Sequence, residues 1–205
     1  MQFLKLKQKL SDQIVFTSND IRKIDSAFYL SRLTEWQKKG YIKKVIKGYY
    51  IFTDTEIDEI VLFSIANRIY PSSYISLESS FRYYNIIPEG VFSITSVTAR
   101  NTYRFSTDVG EFKYQKLMPS LFFGYQIVNR GKTKVKIAFL EKAILDYFYL
   151  HPKISDKESI DGLRLNLDIL SKDLDQKKMM DYLSSFNNKS LERRINLLIE
   201  IINDN

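Results

Sequence analysis

"FTSNDIRKIDSAFYLSRLTEWQKKGYIKKVIKGYYIF", residues 16 to 52, carries a helix start signal, a fresh cap and a lysine-studded hairpin in close succession. Thr17 stands three residues before Asp20, the spacing at which both side chains satisfy free N–H groups of a helix N-terminus, so a helix begins here. It runs to about Ile24, because Asp25 and Ser26 supply a new N-cap. "SAFYLSRLTEWQKKG", from Ser26 to Gly40, predicts the next helix, closed by glycine. Upstream, Phe3, Leu4, Leu6 and Leu10 in "QFLKLKQKL" have a loosely helical spacing and predict a first helix. Two helices joined by a tight turn make a helix-turn-helix. After them, "YIKKV" and "YYIF" are strands by their β-branched and aromatic content, and "IKG" between them is a short turn with glycine free to adopt positive φ. Helix, capped helix, basic helix and basic hairpin is the order of a winged helix-turn-helix.

On the third helix, at about 100° per residue, Leu30, Leu33 and Gln37 fall on one side, with Ser26 near the same line. Phe28, Ser31, Arg32, Glu35 and Lys39 fall opposite, and Tyr29 and Trp36 share a flank. The outward face thus offers an aromatic ring, an arginine and a hydroxyl in its first two turns, where a recognition helix meets bases and phosphates in the major groove. Arg32 is suited to bridge guanine O6 and N7, and Phe28 to rest on a thymine methyl. Packing is the alternative for Phe28 and Trp36, and the preferred reading for Trp36. Lys43, Lys44 and Lys47 would neutralise phosphates, which sets position and affinity without reading sequence. The candidate DNA-binding set is Thr17, Ser18, Ser26, Phe28, Tyr29, Ser31, Arg32, Lys43, Lys44 and Lys47.

Charge distribution agrees with this reading. Residues 1 to 55 hold 11 lysines and arginines against 5 acidic residues, whereas 151 to 205 hold 9 against 10, so nearly all of the net +7 lies in the first quarter. A basic module on a near-neutral body suits a polyanion touched at one end, and nucleic acid is the commonest such partner. At 205 residues, 44% of them hydrophobic, the chain can form a sizeable core. No apolar run approaches a membrane span, and "MQFLKLKQKL" alternates lysine with apolar residues where a signal peptide needs a continuous apolar segment, so a cytoplasmic location is expected. The absence of cysteine excludes disulfides, thiolate nucleophiles and zinc-thiolate sites, and the single His151 cannot build a polyhistidine metal cluster.

Residues 56 to 205 are expected to form an α+β domain behind a DNA-binding domain of residues 1 to 55. "TEIDEIVLFSIANRIY" and "SLESSFRYYN", the latter opened by Ser76, predict helices that stop at or near Pro71 and Pro88. "VFSITSVTA", "EFKYQKLM", "FFGYQIVN" and "KTKVKIAF" predict a mostly antiparallel sheet. "FLEKAILDYFYL" returns to helix. Two further apolar stripes follow, one of Leu174, Met179, Tyr182, Leu183 and Phe186 and one of Leu191, Ile195, Leu198, Ile199 and Ile202, which make the C-terminal region helical. No phosphate-cradling glycine loop, nucleophile elbow or His-Glu-x-x-His is present, so no catalytic residue, metal or cofactor is assigned. "EFK" at Glu111 to Lys113 imitates the end of a metal-dependent nuclease site, but its nearest carboxylate, Asp108, lies in the adjoining turn; an ordinary hairpin explains it better. His151 in "LHP" reads as a helix-end residue.

The segment 16 to 52, followed by "YISLESSFRYYNIIPE", "LFFGYQIV", "FLEKAILDYFYL" and "LRLNLD", resembles the antitoxins of the abortive-infection AbiE type IV toxin-antitoxin systems, a phage-defence family. The likeness runs from about Val15 to Leu198. It implies a winged helix that binds inverted repeats in its own promoter and represses the operon. It also implies a C-terminal domain opposing a nucleotidyltransferase-like toxin, for which stable toxin binding is not required. By position, the DNA-reading segment would be Ser26 to Arg32 with the wing lysines. Glu141, Asp146, Arg164 and Asn166, in the last two shared segments, are expected to make internal polar contacts. A winged-helix transcription factor whose second domain senses a ligand or another protein, with no toxin, is the alternative.

Overall fold

A computed structural model of the chain describes residues 2 to 88, 93 to 130 and 133 to 204. Val91, Phe92 and Lys132, at the starts of two expected strands, lie outside the described residues.

Helix α1 (Phe3–Lys9) places Leu6, and Leu10 just beyond its end, in the core but leaves Leu4 in solvent. Strand β1 (Phe16–Thr17) leads into α2 (Ser18–Ile24). The expected capping box is present: the Thr17 hydroxyl accepts from the Asp20 N–H at 3.2 Å, and the Asp20 carboxylate accepts from the Thr17 N–H at 2.8 Å. Helix α3 spans Ser31–Lys38 rather than starting at Ser26. The cause is local: Asp25 is extended, its carboxylate accepts from the Ala27 N–H, and the Phe28 N–H bonds back to the Asp25 carbonyl. That turn drives Phe28 inward, 5.4 Å from the Trp36 ring. At the other end Gly40, at φ +68°, closes α3 as expected. Its N–H bonds to the Gln37 carbonyl and the Tyr41 N–H to that of Trp36, the paired bonds of a left-handed C-terminal cap.

Strands β2 (Ile42–Ile46) and β3 (Tyr49–Phe52) form the expected hairpin, with Gly48 at φ +87° in its turn. Together with β1 they make a three-stranded antiparallel sheet in the order β1-β3-β2. One face, with Phe16, Ile42 and Phe52, packs on Leu6, Leu10, Ile21, Phe28, Leu33 and Trp36 from the helices and the loop before α3. The other, with Val45 and Ile51, joins a cluster that belongs to the body. A register shift between Lys44 and Ile46 turns both Val45 and Ile46 towards the body.

The body is built on a six-stranded sheet of order β6-β7-β5-β4-β9-β8. Its strands are β4 (Ser73–Ile75), β5 (Ser93–Thr98), β6 (Tyr103–Thr107), β7 (Gly110–Lys116), β8 (Tyr125–Arg130) and β9 (Thr133–Ala138). The sheet is mixed: β4 with β5, β6 with β7 and β8 with β9 pair antiparallel as expected, while β5 pairs parallel with β7 and β4 with β9. Strands β4 and β6 were not expected. The first is three residues long, and the second, "YRFST", leaves no apolar face beyond two rings.

Alternation along the strands separates two cores. Ile75, Ile94, Phe112, Tyr114, Val135 and Ile137 meet α4 (Glu59–Ile69) and the small sheet, while Tyr74, Val97 and Ala138 meet the remaining helices. Those helices are α5 (Glu78–Tyr83), α6 (Leu140–Leu150), α7 (Lys157–Asp161), α8 (Leu167–Asp173), α9 (Gln176–Ser184) and α10 (Lys189–Asn203). Asp58 caps α4, which starts at Glu59, four residues into the segment expected to be helical. Ser76 does not open α5: the helix starts at Glu78 after Leu77, the Ser79 N–H donates instead to the Thr95 hydroxyl at 3.0 Å, and the Ser76 hydroxyl donates to Asp146 at 2.9 Å. The apolar stripes of the C-terminal region are buried as expected, with Tyr182 and Ile199 at the margin.

Candidate nucleic-acid interface

Helix α3 buries one side and exposes the other. Leu33 and Trp36 face inward, while Ser31, Thr34, Glu35 and Lys38 are in solvent. Just before it Tyr29 is 76% and Leu30 45% exposed, which corrects the expectation that Leu30 lies on the core side. Because the helix starts at Ser31, its inward stripe is set by Leu33 and Trp36 instead, with Phe28 delivered from the loop.

Phe28 is only 5% exposed, so the thymine-methyl contact expected of it is corrected: the ring belongs to the core. Trp36 packs against Phe28 and against Phe3 at 5.4 Å, its preferred reading. Tyr29 and Ser31 stand in solvent. Arg32 is half-buried and helps hold the Glu35 carboxyl below its usual range, after the larger effects of the Lys39 ammonium bonded to it at 2.6 Å. Ser26 is exposed but lies in the turn before α3. Thr17 and Ser18 are half-buried at the start of α2, and the Thr17 hydroxyl is committed to the cap, also donating to Asp20 at 2.8 Å. That hydrogen bonding removes it from the expected DNA-contacting set.

Lys43, Lys44 and Lys47 are all exposed. The strand pleat nevertheless divides the first two. Lys44 shares the helix-side face with Ile42, and Lys43, opposite Ile51, shares the body-side face. They therefore do not form one phosphate-facing row. Strand β2 is an edge of the small sheet, where lysines also discourage pairing with another chain.

Asp20 ties this region to the body. The carboxylate oxygen that accepts from Thr17 also accepts from Arg68 of α4 at 2.7 Å. Burial works against its charge, but Arg68 and the Thr17 hydroxyl and N–H outweigh it and hold the carboxyl below its ordinary value. The start signal at Thr17 and Asp20 is legible in sequence. Its partner 48 residues away is not.

Elsewhere Glu141 and Asn166 make the internal polar contacts expected of them, whereas Arg164 is exposed. Glu141 meets Lys178 at 2.9 Å, and Asn166 caps α8 by accepting from the Ile169 N–H. His151 ends α6, with Nδ1 2.8 Å from the Tyr147 carbonyl. Glu111 is paired with Arg104 and Lys113 in an ordinary hairpin. Among the described residues no group of three or more metal-ligating side chains assembles, and no helix is long and apolar enough to cross a membrane. No family model matches the chain, and no curated protein matches it.

Proposed function

We propose that this chain is a double-stranded-DNA-binding antitoxin and autorepressor, with an N-terminal winged helix-turn-helix and a body that opposes a nucleotidyltransferase-like toxin. The observation that carries the DNA-binding half is the one-sided burial of α3: Leu33 and Trp36 anchor it while Ser31, Thr34, Glu35 and Lys38 remain in solvent, with Tyr29 exposed just before the helix. An exposed helix face on a basic unit, beside an exposed lysine hairpin, is suited to a major groove with flanking phosphates. The likeness to AbiE antitoxins supports the autorepressor and antitoxin roles. Tyr29, Ser31 and Arg32 would meet the bases, and Lys44 and Lys47 the phosphates.

Footprinting of the region upstream of its own gene tests the first half: protection of an inverted repeat is expected, and no protection there would remove autorepression. With on the order of 4 to 6 phosphates neutralised, log K against log salt concentration should fall with a slope of roughly −4 to −5. The antitoxin half is tested by co-expression with a nucleotidyltransferase-like neighbour. Growth should recover, and persistent arrest would leave a DNA-binding regulator without a toxin.

A further inference from the structure

Where α2, α4 and β9 meet, a cleft of about 350 Å³ opens between the N-terminal unit and the body. Lys23, Arg68 and Lys134 contribute three cations to its wall, Ser64 and Thr133 two hydroxyls, and Asp12 and Asp20 two carboxylates. The Asp20 charge is already matched: one oxygen takes Arg68 and Thr17, and the other lies 4.0 Å from the Lys23 ammonium. Arg68 gives Asp20 one nitrogen of a fork that carries five N–H donors, and its side chain is 45% exposed. The remaining edge of that fork has the geometry that grips two oxygens of a planar or tetrahedral oxyanion. Lys134 is exposed on β9 at the same cleft.

We propose that this cleft binds a phosphate group, held by the Arg68 guanidinium with the ammonium groups of Lys134 and Lys23. The phosphate can come from a DNA backbone passing α2 or from a free phosphate compound; only the first source rests on the DNA-binding reading above. Since Arg68 also holds the carboxylate that caps α2, a ligand on its free edge acts directly on the element that precedes α3.

The test uses the full chain in a chloride buffer, titrated with inorganic phosphate and separately with duplex DNA across a salt series. Lys134→Gln is the informative variant, because Lys134 is exposed and takes no part in the cap; Lys172→Gln, on α8 beyond the opposite face of the large sheet, is the control. A salt slope flattened by about one unit in Lys134→Gln alone assigns the site to the DNA backbone. Phosphate binding weakened about fivefold or more in Lys134→Gln, with an unchanged slope, assigns it to a free phosphate compound. If Lys134→Gln alters neither measurement relative to Lys172→Gln, the proposal is overturned. Should the chain bind no DNA at all, the phosphate titration alone decides, so failure of the cleft and failure of the DNA reading are told apart.

Discussion

In the N-terminal hairpin Lys43, Lys44 and Lys47 stand in solvent, whereas in the body Lys142 is wholly buried against Asp146, among the rings of Tyr74, Phe123 and Phe186. The same residue type thus serves two purposes. An exposed ammonium keeps its hydration and can exchange it for a phosphate, while a buried one must be compensated by fixed neighbours. The Lys142 ammonium donates to the Tyr74 hydroxyl at 2.9 Å, and the Tyr74 and Ser76 hydroxyls each donate to Asp146 at 2.9 Å. Burial pushes the Lys142 ammonium down and the Asp146 carboxyl up, and the pairing opposes both shifts. Burial and the nearby Asp146 carboxylate push the Tyr74 hydroxyl well up, so it remains a donor. This network joins β4 and the residue after it to α6.

The contrast breaks most visibly at Asp146. Asp146→Ala leaves Lys142 buried and unmatched and should cost about 3 to 5 kcal/mol in urea unfolding. Lys142→Met combined with Asp146→Leu should lose much less, and equal losses would mean that packing, not charge, holds this site. Next in size, Phe28→Ala should cost about 3 kcal/mol of stability because it empties a core position. A stable Phe28→Ala protein that loses only specific DNA binding would return that ring to the interface. Arg32→Ala should weaken a specific site by about 1 to 3 kcal/mol while sparing random DNA, measured by competition binding; equal loss on both would remove base reading from Arg32.

The smallest effect sharpens the junction between the regions. Asp20 has a folded-state pKa below its unfolded one, so the stability it adds is fully present above the ordinary carboxylate value, near about 4. It is lost as pH falls through the lower, folded value. The difference in thermal midpoint between the natural protein and Asp20→Asn should therefore be constant from neutral pH down to about 5 and shrink below about 4. A difference that grows on acidification would contradict the linkage.

Much of the N-terminal unit was legible because its signals are local. The Thr17/Asp20 cap, Gly40 at a helix end and Gly48 in a hairpin turn act within a few residues of themselves. The start of α3 is not legible, because Asp25 is equally able to cap a helix or to fold a turn on its own side chain, and burial of Phe28 against Trp36 decides for the turn. Leu30 follows from the same shift. In the body, alternation disclosed four strands but not β4 or β6, and it cannot say which strands run parallel. Arg194 was equally silent in sequence: it reaches the carbonyls of Phe148 at 2.6 Å and His151 at 3.3 Å and so closes the C-terminal end of α6.

Local residues alone set the cap at Thr17 and Asp20, the helix end at Gly40, the hairpin turn at Gly48, which positions are apolar and the gathering of positive charge towards the N-terminus. Each of these depends on backbone geometry and side-chain chemistry over a span of a few residues. Packing between distant segments settles that the small sheet is covered on both faces, that Lys43 and Lys44 point apart, that Arg68 completes the cap at Asp20 and that Lys142 is buried. Those outcomes depend on segments distant in the chain competing for the same surface, and no local pattern records which of them wins.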